Sequence, residues 1–159
     1  MNIVILAAGI GKRMKSSLPK VLHQICGRPM ICHVLDAIGT FKESHIVVVV
    51  PPNETEIENT VRKFTHTKFK PKFAIQEKPL GTGDALKSAV PFLKINQPTL
   101  ILFGDVPLIS SQSLKRFAKN YEKTSALRIL TTKIKKPKGY GRIIRNNRKE
   151  ILLIREETD

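Results

Sequence analysis

Gly9-Ile10-Gly11 is followed at once by Lys12 and Arg13, and the whole stretch comes directly after the apolar run Asn2–Ile5. Two glycines one residue apart suit a tight turn where backbone comes close to another group. Two cations beside it suit an anion. Phosphate is the common case, because backbone N–H groups in a Gly-rich turn can cradle it while side-chain cations balance its charge. Neither familiar phosphate signature is present. A Walker A loop ending at Gly11-Lys12 needs Gly where Leu6 stands and Ser or Thr where Arg13 stands. A dinucleotide fingerprint needs a third Gly or Ala where Met14 or Lys15 stands. A phosphate cradle and a plain strand-to-helix turn with a solvated charged rim are both compatible with these residues.

A second set with possible chemistry is His23, Cys26, Cys32 and His33. Cys32 and His33 are adjacent, so on a helix they point about 100° apart, which speaks against a zinc set. The net charge of +15 and the pI near 10.1 fit a nucleic-acid binder or a protein that handles polyphosphates. The charge is spread along the chain, however. No aromatic-rich strand offers to stack bases, and no helix-turn-helix or zinc-finger spacing is present. The densest patch, residues 133–138, reads as a solvated loop.

The elements that must carry these residues alternate. Strands are expected at Ile3–Leu6, His45–Val50, Phe73–Gln76, Thr99–Phe103 and Ala126–Ile134. His45–Val50 is an almost continuous β-branched run, the pattern of a strand buried on both faces. Helices are expected at Met30–Thr40, Glu54–Phe64, Asp84–Leu93 with Thr82 as its cap, and Ser113–Lys123. Arg142–Arg145 and Glu150–Ile154, around Asn146-Asn147, read as a hairpin. Such alternation implies an α/β fold, a Rossmann-like, mostly parallel sheet with helices on both faces. Sheets of this kind bind ligands outside the carboxyl ends of their strands. Three groups fall there: Gly9–Arg13, the segment from Gln76 to Thr82, and Asp105.

The 159 residues, 41% of them hydrophobic, suffice for one domain with a real core. No stretch approaches a membrane span, and the N-terminal apolar run is too short for a signal peptide, so a reducing cytoplasm is the expected home.

With these residues in view, the chain resembles the bacterial N-acetylglucosamine-1-phosphate uridylyltransferases, which are sugar nucleotidyltransferases. The likeness is carried by LAAGIGKRMKSSLPKVLHQICGRPM, QEKPLGTGDALKSAVPFL, FGDVPLI, GYGRIIR and IREETD, in order from the first residue to the last. It implies that N-acetylglucosamine 1-phosphate and UTP react with Mg²⁺ to give UDP-N-acetylglucosamine, a cell-wall peptidoglycan precursor, and pyrophosphate. Arg13 and Lys20 match the family's basic residues beside the phosphates. Leu6, Ala8, Gly9 and Gly11 match the backbone positions around the nucleotide. Gln76, Gly81 and Thr82 match the uracil readers, Asp105 a Mg²⁺ ligand, and Gly141 and Glu156 the positions that contact the amino sugar.

The sequence also departs from the family. Lys12 stands for a usual Thr or Ser, Asp84 for a common His, and Phe103 for a Tyr. Lys136 and Lys138 replace an acidic and a small polar residue. The family's domain continues past the point matching Asp159, with further sugar contacts and an Asn that shares the metal, followed by a β-helix acetyltransferase domain. The expectation is therefore a partial nucleotidyltransferase domain over 1–159, with its sheet ending on Glu150–Ile154. The apolar Ile151–Ile154 would then be open to self-association. Two further readings stay open: a non-catalytic remnant that binds UTP without turnover, and a basic nucleic-acid-binding domain. The Gln76/Gly81/Thr82 set argues against the latter.

Overall fold

Asn2–Leu6 forms β1 at the centre of a parallel sheet. Ile3, Val4 and Ile5 are all fully buried, because both faces of the strand are covered. In this computed structural model the described residues are 1–9, 11–65, 69–119, 121 and 127–155. They fall into two compact units, Met1–Ala126 and Leu127–Asp159.

In the first unit, β1 is followed by a small antiparallel pair, β2 (Gln24–Ile25) and β3 (Arg28–Pro29). Cys26 and Gly27 both have positive φ, the geometry of a tight two-residue hairpin turn. Helix α1 spans Met30–Ile38, strand β4 His45–Val50, helix α2 Thr55–Thr65 and strand β5 Lys72–Ile75. Helix α3 (Thr82–Ala89), strand β6 (Thr99–Phe103) and helix α4 (Ser111–Ala118) complete the unit.

The sheet order is β5-β4-β1-β6, all parallel. Later strands are added first on one side of β1 and then, with β6, on the other. The order thus reverses between β1 and β6, where a doubly wound sheet opens a crevice. The register places Ile3 beside Ile46 and Leu100, and Val4 beside Val47. The pleat sends Ile3, Ile5, Ile46, Val48 and Leu100 into one core with α1, α2 and α4. Val4, Leu6, Val47, Val49 and Ala74 go to the other face, where Ala85 and Ala89 of α3 meet them. Helices on both faces of a parallel sheet are what the alternation of elements implied.

Local chemistry moves several boundaries. Thr82 is not the cap of α3. Gly81 takes that place with φ of +108°, and no side chain bonds the freed N–H groups. The α-helix stops at Ala89 and one 3₁₀ turn, Val90–Phe92, follows, because Pro91 has no N–H to continue the α pattern. Helix α4 begins earlier than expected, since Ser110 Oγ accepts from Ser113 N at 3.1 Å. It ends at Ala118, where Lys119 turns extended.

The expected strand Ala126–Ile134 does not form over 127–134, its described part. Its apolar residues Leu127 and Leu130 are exposed rather than packed. In the second unit β7 (Arg142–Arg145) pairs antiparallel with β8 (Ile151–Arg155), so the expected hairpin is present. It forms a two-stranded sheet of its own, and among the described residues the edge strands of the parallel sheet are β5 and β6, not Glu150–Ile154. Among the described residues no helix is long and apolar enough to cross a membrane.

Candidate functional site

The carboxyl ends of β1, β5 and β6 open onto one cleft of about 530 Å³, inside the usual range for small-molecule sites. It lies at the point where the strand order reverses. The cleft brings together Leu6, Ala8, Gly9, Gly11, Lys20, Gln76, Gly81, Thr82 and Asp105.

One end is charged. Lys20 starts a 3₁₀ turn, Lys20–Leu22, which Pro19 enters by accepting from Leu22 N at 2.9 Å. Its Nζ meets Asp105 Oδ2 at 2.5 Å. About a third of each side chain stays exposed, 32% and 29%, so solvent and solutes reach the pair. Two glycines make this approach possible. Gly11 has φ of +63°, and a Cβ there would stand 2.8 Å from Lys20 Cβ. Gly104 donates to Leu6 O at 2.9 Å, and a Cβ there would meet Val21 Cγ1 at 3.0 Å. Gly104 therefore draws the end of β6 against the end of β1 and sets Asp105 over the cleft. At Gly9, by contrast, a Cβ would meet nothing within 4 Å. The backbone at Gly9 faces open space that a ligand can enter.

The other end is an amide. Gln76 follows β5, with its N–H donating to Val50 O at 2.9 Å, and the residue is only 6% exposed. Its Nε2 donates to Asp84 Oδ2 at 2.9 Å and to Gly81 O at 3.1 Å. The first turn of α3, beginning at Thr82, brings its unpaired N–H groups to the same side of the cleft. Val21, Pro79, Ala85 and Phe103 supply apolar walls.

Chemically, the cleft holds both an ion pair that can be opened and a buried amide. An incoming anion competes with Asp105 for Lys20, and a cation competes with Lys20 for Asp105. Asp105 is the one carboxylate lining the cleft among the described residues, and no group of three or more His, Cys, Asp or Glu there is placed to hold a metal. A hard cation would therefore rest on Asp105 together with ligand oxygens and water, a pattern suited to Mg²⁺.

Three expected site residues remain, Arg13, Gly141 and Glu156. Arg13 is exposed on the 3₁₀ turn Lys12–Met14 and does not line the cleft. Gly141 is exposed and directly precedes β7 in the second unit. Glu156 lies outside the described residues. Of the His and Cys set, Cys26 is exposed in the β2–β3 turn and Cys32 is buried in α1, while His33 Nε2 bonds Ile25 O at 2.9 Å. Sequence reasoning missed Gly104 and the apolar wall residues Val21 and Ala85. A Gly at a strand end, directly before a candidate carboxylate, was the available signal for Gly104.

Comparison with known proteins agrees with this fold. The family model of the MobA-like NTP transferase domain matches residues 3–150. The bifunctional protein GlmU of Cupriavidus pinatubonensis is 45% identical over 159 residues, all of this chain and 34% of that protein. GlmU of Burkholderia mallei is 43% identical with the same coverage, so the chain spans about a third (34%) of these relatives' length. Among solved structures, HddC from Yersinia pseudotuberculosis superposes with a TM-score of 0.77 at 24% identity, covering 98% of this chain and 68% of its own. HddC complexed with GMP-PN superposes at 0.75 with the same identity and coverage. The 4-diphosphocytidyl-2C-methyl-D-erythritol synthase of Anaerococcus prevotii gives 0.66 at 17% identity, over 96% of this chain and 63% of its own. These structures share the fold.

Proposed function

The chain belongs to the MobA-like NTP transferase family, and on that premise we propose that its cleft binds UTP and joins it to N-acetylglucosamine 1-phosphate. As a nucleotidyltransferase domain it has a phosphorus centre to work on. The choice of UTP and the amino sugar is supported by the 43–45% identity to GlmU over the full chain. The observation that carries the reading is that one cleft is lined by two recognition groups: Lys20 with Asp105, and the Gln76 amide.

In the proposed reaction an oxygen of the sugar 1-phosphate attacks the α-phosphorus of UTP. The bond from that phosphorus to the bridging oxygen breaks, and pyrophosphate leaves with the electron pair. The attacking group is already an anion, so no side chain has to act as nucleophile. The chain's task is to hold two anions in line and to offset the charge between them. Lys20, released from Asp105, does the latter at the α-phosphate, and Arg13 is proposed to join it from the neighbouring turn. The backbone at Leu6, Ala8, Gly9 and Gly11 lets the triphosphate lie close to the chain. Gln76, Gly81 and Thr82 face the base. Asp105 would hold Mg²⁺ with phosphate oxygens and water; the ion would supply further neutralisation of the triphosphate. Gly141 and Glu156 are proposed to contact the amino sugar, and the cytoplasm is the proposed setting.

Calorimetric titration with UTP, CTP and ATP in the presence of Mg²⁺ tests the reading. UTP is expected to bind most tightly. Equal affinities for all three would mean that only phosphates are recognised, and the reading would fail.

A further inference from the structure

The Gln76 amide is oriented by its surroundings. Both partners of Nε2 can only accept: Gly81 O is a carbonyl and Asp84 Oδ2 belongs to a carboxylate. Turning the amide over would set Oε1 against two oxygens. The two amide hydrogens are thus consumed inside the wall of the cleft, and none is left for a ligand. Oε1, in contrast, accepts no hydrogen bond among the described residues. It is also not a fully enclosed orphan, since the one buried side-chain polar atom lacking a partner among them is His23 Nε2. Gln76 lines the cleft. The polar group it has left to present there is an acceptor.

Asp84 makes this arrangement hold. It sits in the first turn of α3, where a negative charge is favoured by the helix dipole and the free N–H groups. From there its carboxylate reaches Nε2 at 2.9 Å. Gly81 O alone could bond only one of the two amide hydrogens, and also accepts from Ala85 N at 3.1 Å.

We propose that Asp84 is a positioning residue for base selection: by holding the Gln76 amide group, it aims Oε1 into the cleft as an acceptor for a ring N–H. The inference rests on the nucleotide-site reading above. An acceptor there matches the N3–H of uracil and opposes the N3 lone pair of cytosine, two bases of the same size. The discrimination is one of hydrogen-bond sense, not of shape.

The test is titration of the wild type, Asp84→Ala and Asp84→Asn with UTP and with CTP in Mg²⁺, with thermal unfolding measured on each protein. The wild type is expected to prefer UTP. Asp84→Ala frees the amide to turn and offer N–H to cytosine, so the ratio of UTP to CTP affinity falls about tenfold, the scale of one hydrogen bond to a charged partner. Asp84→Asn keeps an acceptor of the same shape without the charge, so the ratio falls less, about threefold. A role in folding alone would weaken both nucleotides together and leave the ratio where it was. An unchanged ratio in a folded Asp84→Ala or Asp84→Asn overturns the inference while leaving UTP preference intact. A wild type that binds UTP and CTP equally overturns the nucleotide-site reading and this inference with it.

Discussion

Replacing Gly9 or Gly11 by Ala separates what the first turn does for the fold from what it does for a ligand. Gly11 has φ of +63°, where Ala is disfavoured by about 1–2 kcal/mol. The new Cβ would lie 2.8 Å from Lys20 Cβ and 3.4 Å from its Cγ. Ordinary carbon contacts lie at about 3.5–4.0 Å, so the two segments must part by roughly 1 Å. Overpacking of that kind costs about 1–3 kcal/mol. The sum, about 2–5 kcal/mol, is an upper bound because the turn can yield, and yielding moves Lys20 away from Asp105. Gly9→Ala meets nothing within 4 Å and is not held at positive φ, so its effect on stability is expected within about 0.5 kcal/mol. Its methyl nevertheless stands where a ligand would approach the backbone, and UTP binding is expected to weaken by about 1–2 kcal/mol, a factor of roughly 5–30. Urea unfolding of both variants, with UTP titration of each, measures the two quantities. Gly9→Ala that destabilises as much as Gly11→Ala, or that binds UTP like the wild type, would mean that the backbone at Gly9 does not face a bound nucleotide.

Three further outcomes are expected. Lys20→Ala weakens UTP by about 1.5–3 kcal/mol, the scale of a hydrogen bond to a charged group, and leaves uridine binding unchanged; calorimetry with both ligands checks this. Leu114→Ala, which empties the fully buried anchor of α4 (1% exposed), costs about 2–5 kcal/mol in urea unfolding. The hairpin exposes Ile151, Leu152, Leu153 and Ile154 by 40–61%, so self-association that strengthens with salt is expected in light scattering and is removed by Ile151→Lys with Leu153→Lys. A monomer at every salt concentration counts against it.

The strands and helices of the first unit were legible where burial is strong. Ile31, Val34, Leu35 and Ile38 of α1 are all at most 1% exposed, and their helical spacing is plain in the chain. The β-branched run at His45–Val50 likewise announces a strand covered on both faces. The strand ends were legible through the general behaviour of parallel sheets, which is why Gln76 and Asp105 could be placed beside Gly9 and Gly11 before any geometry was known, whereas Lys20 came only from the family resemblance. Residues 127–134 read as a strand from their apolar content, but a strand also needs a neighbour for its backbone, and pattern alone does not supply one. Thr82 read as a cap because its residue type suits one, whereas the turn requires positive φ at the cap position and Gly81 takes it. The short β2–β3 hairpin is two residues per strand, below the length at which alternation can register. Asp84 stood out only as a departure from the family. Its bond to Gln76 joins residues eight apart across a turn, and no periodicity encodes that.

One cleft, at the carboxyl ends of β1, β5 and β6, is proposed to receive a whole nucleotide with the base at Gln76 and the phosphates at Lys20. A crystal structure of the chain with UTP and Mg²⁺ tests it most directly. The claim predicts the uracil edge within hydrogen-bond distance of Gln76 Oε1, the triphosphate along the Gly9 and Gly11 backbone, and Lys20 Nζ moved from Asp105 to a phosphate oxygen. UTP found elsewhere, for instance on the lysines of residues 133–138, or seated in the cleft with its base pointing away from Gln76, would contradict it.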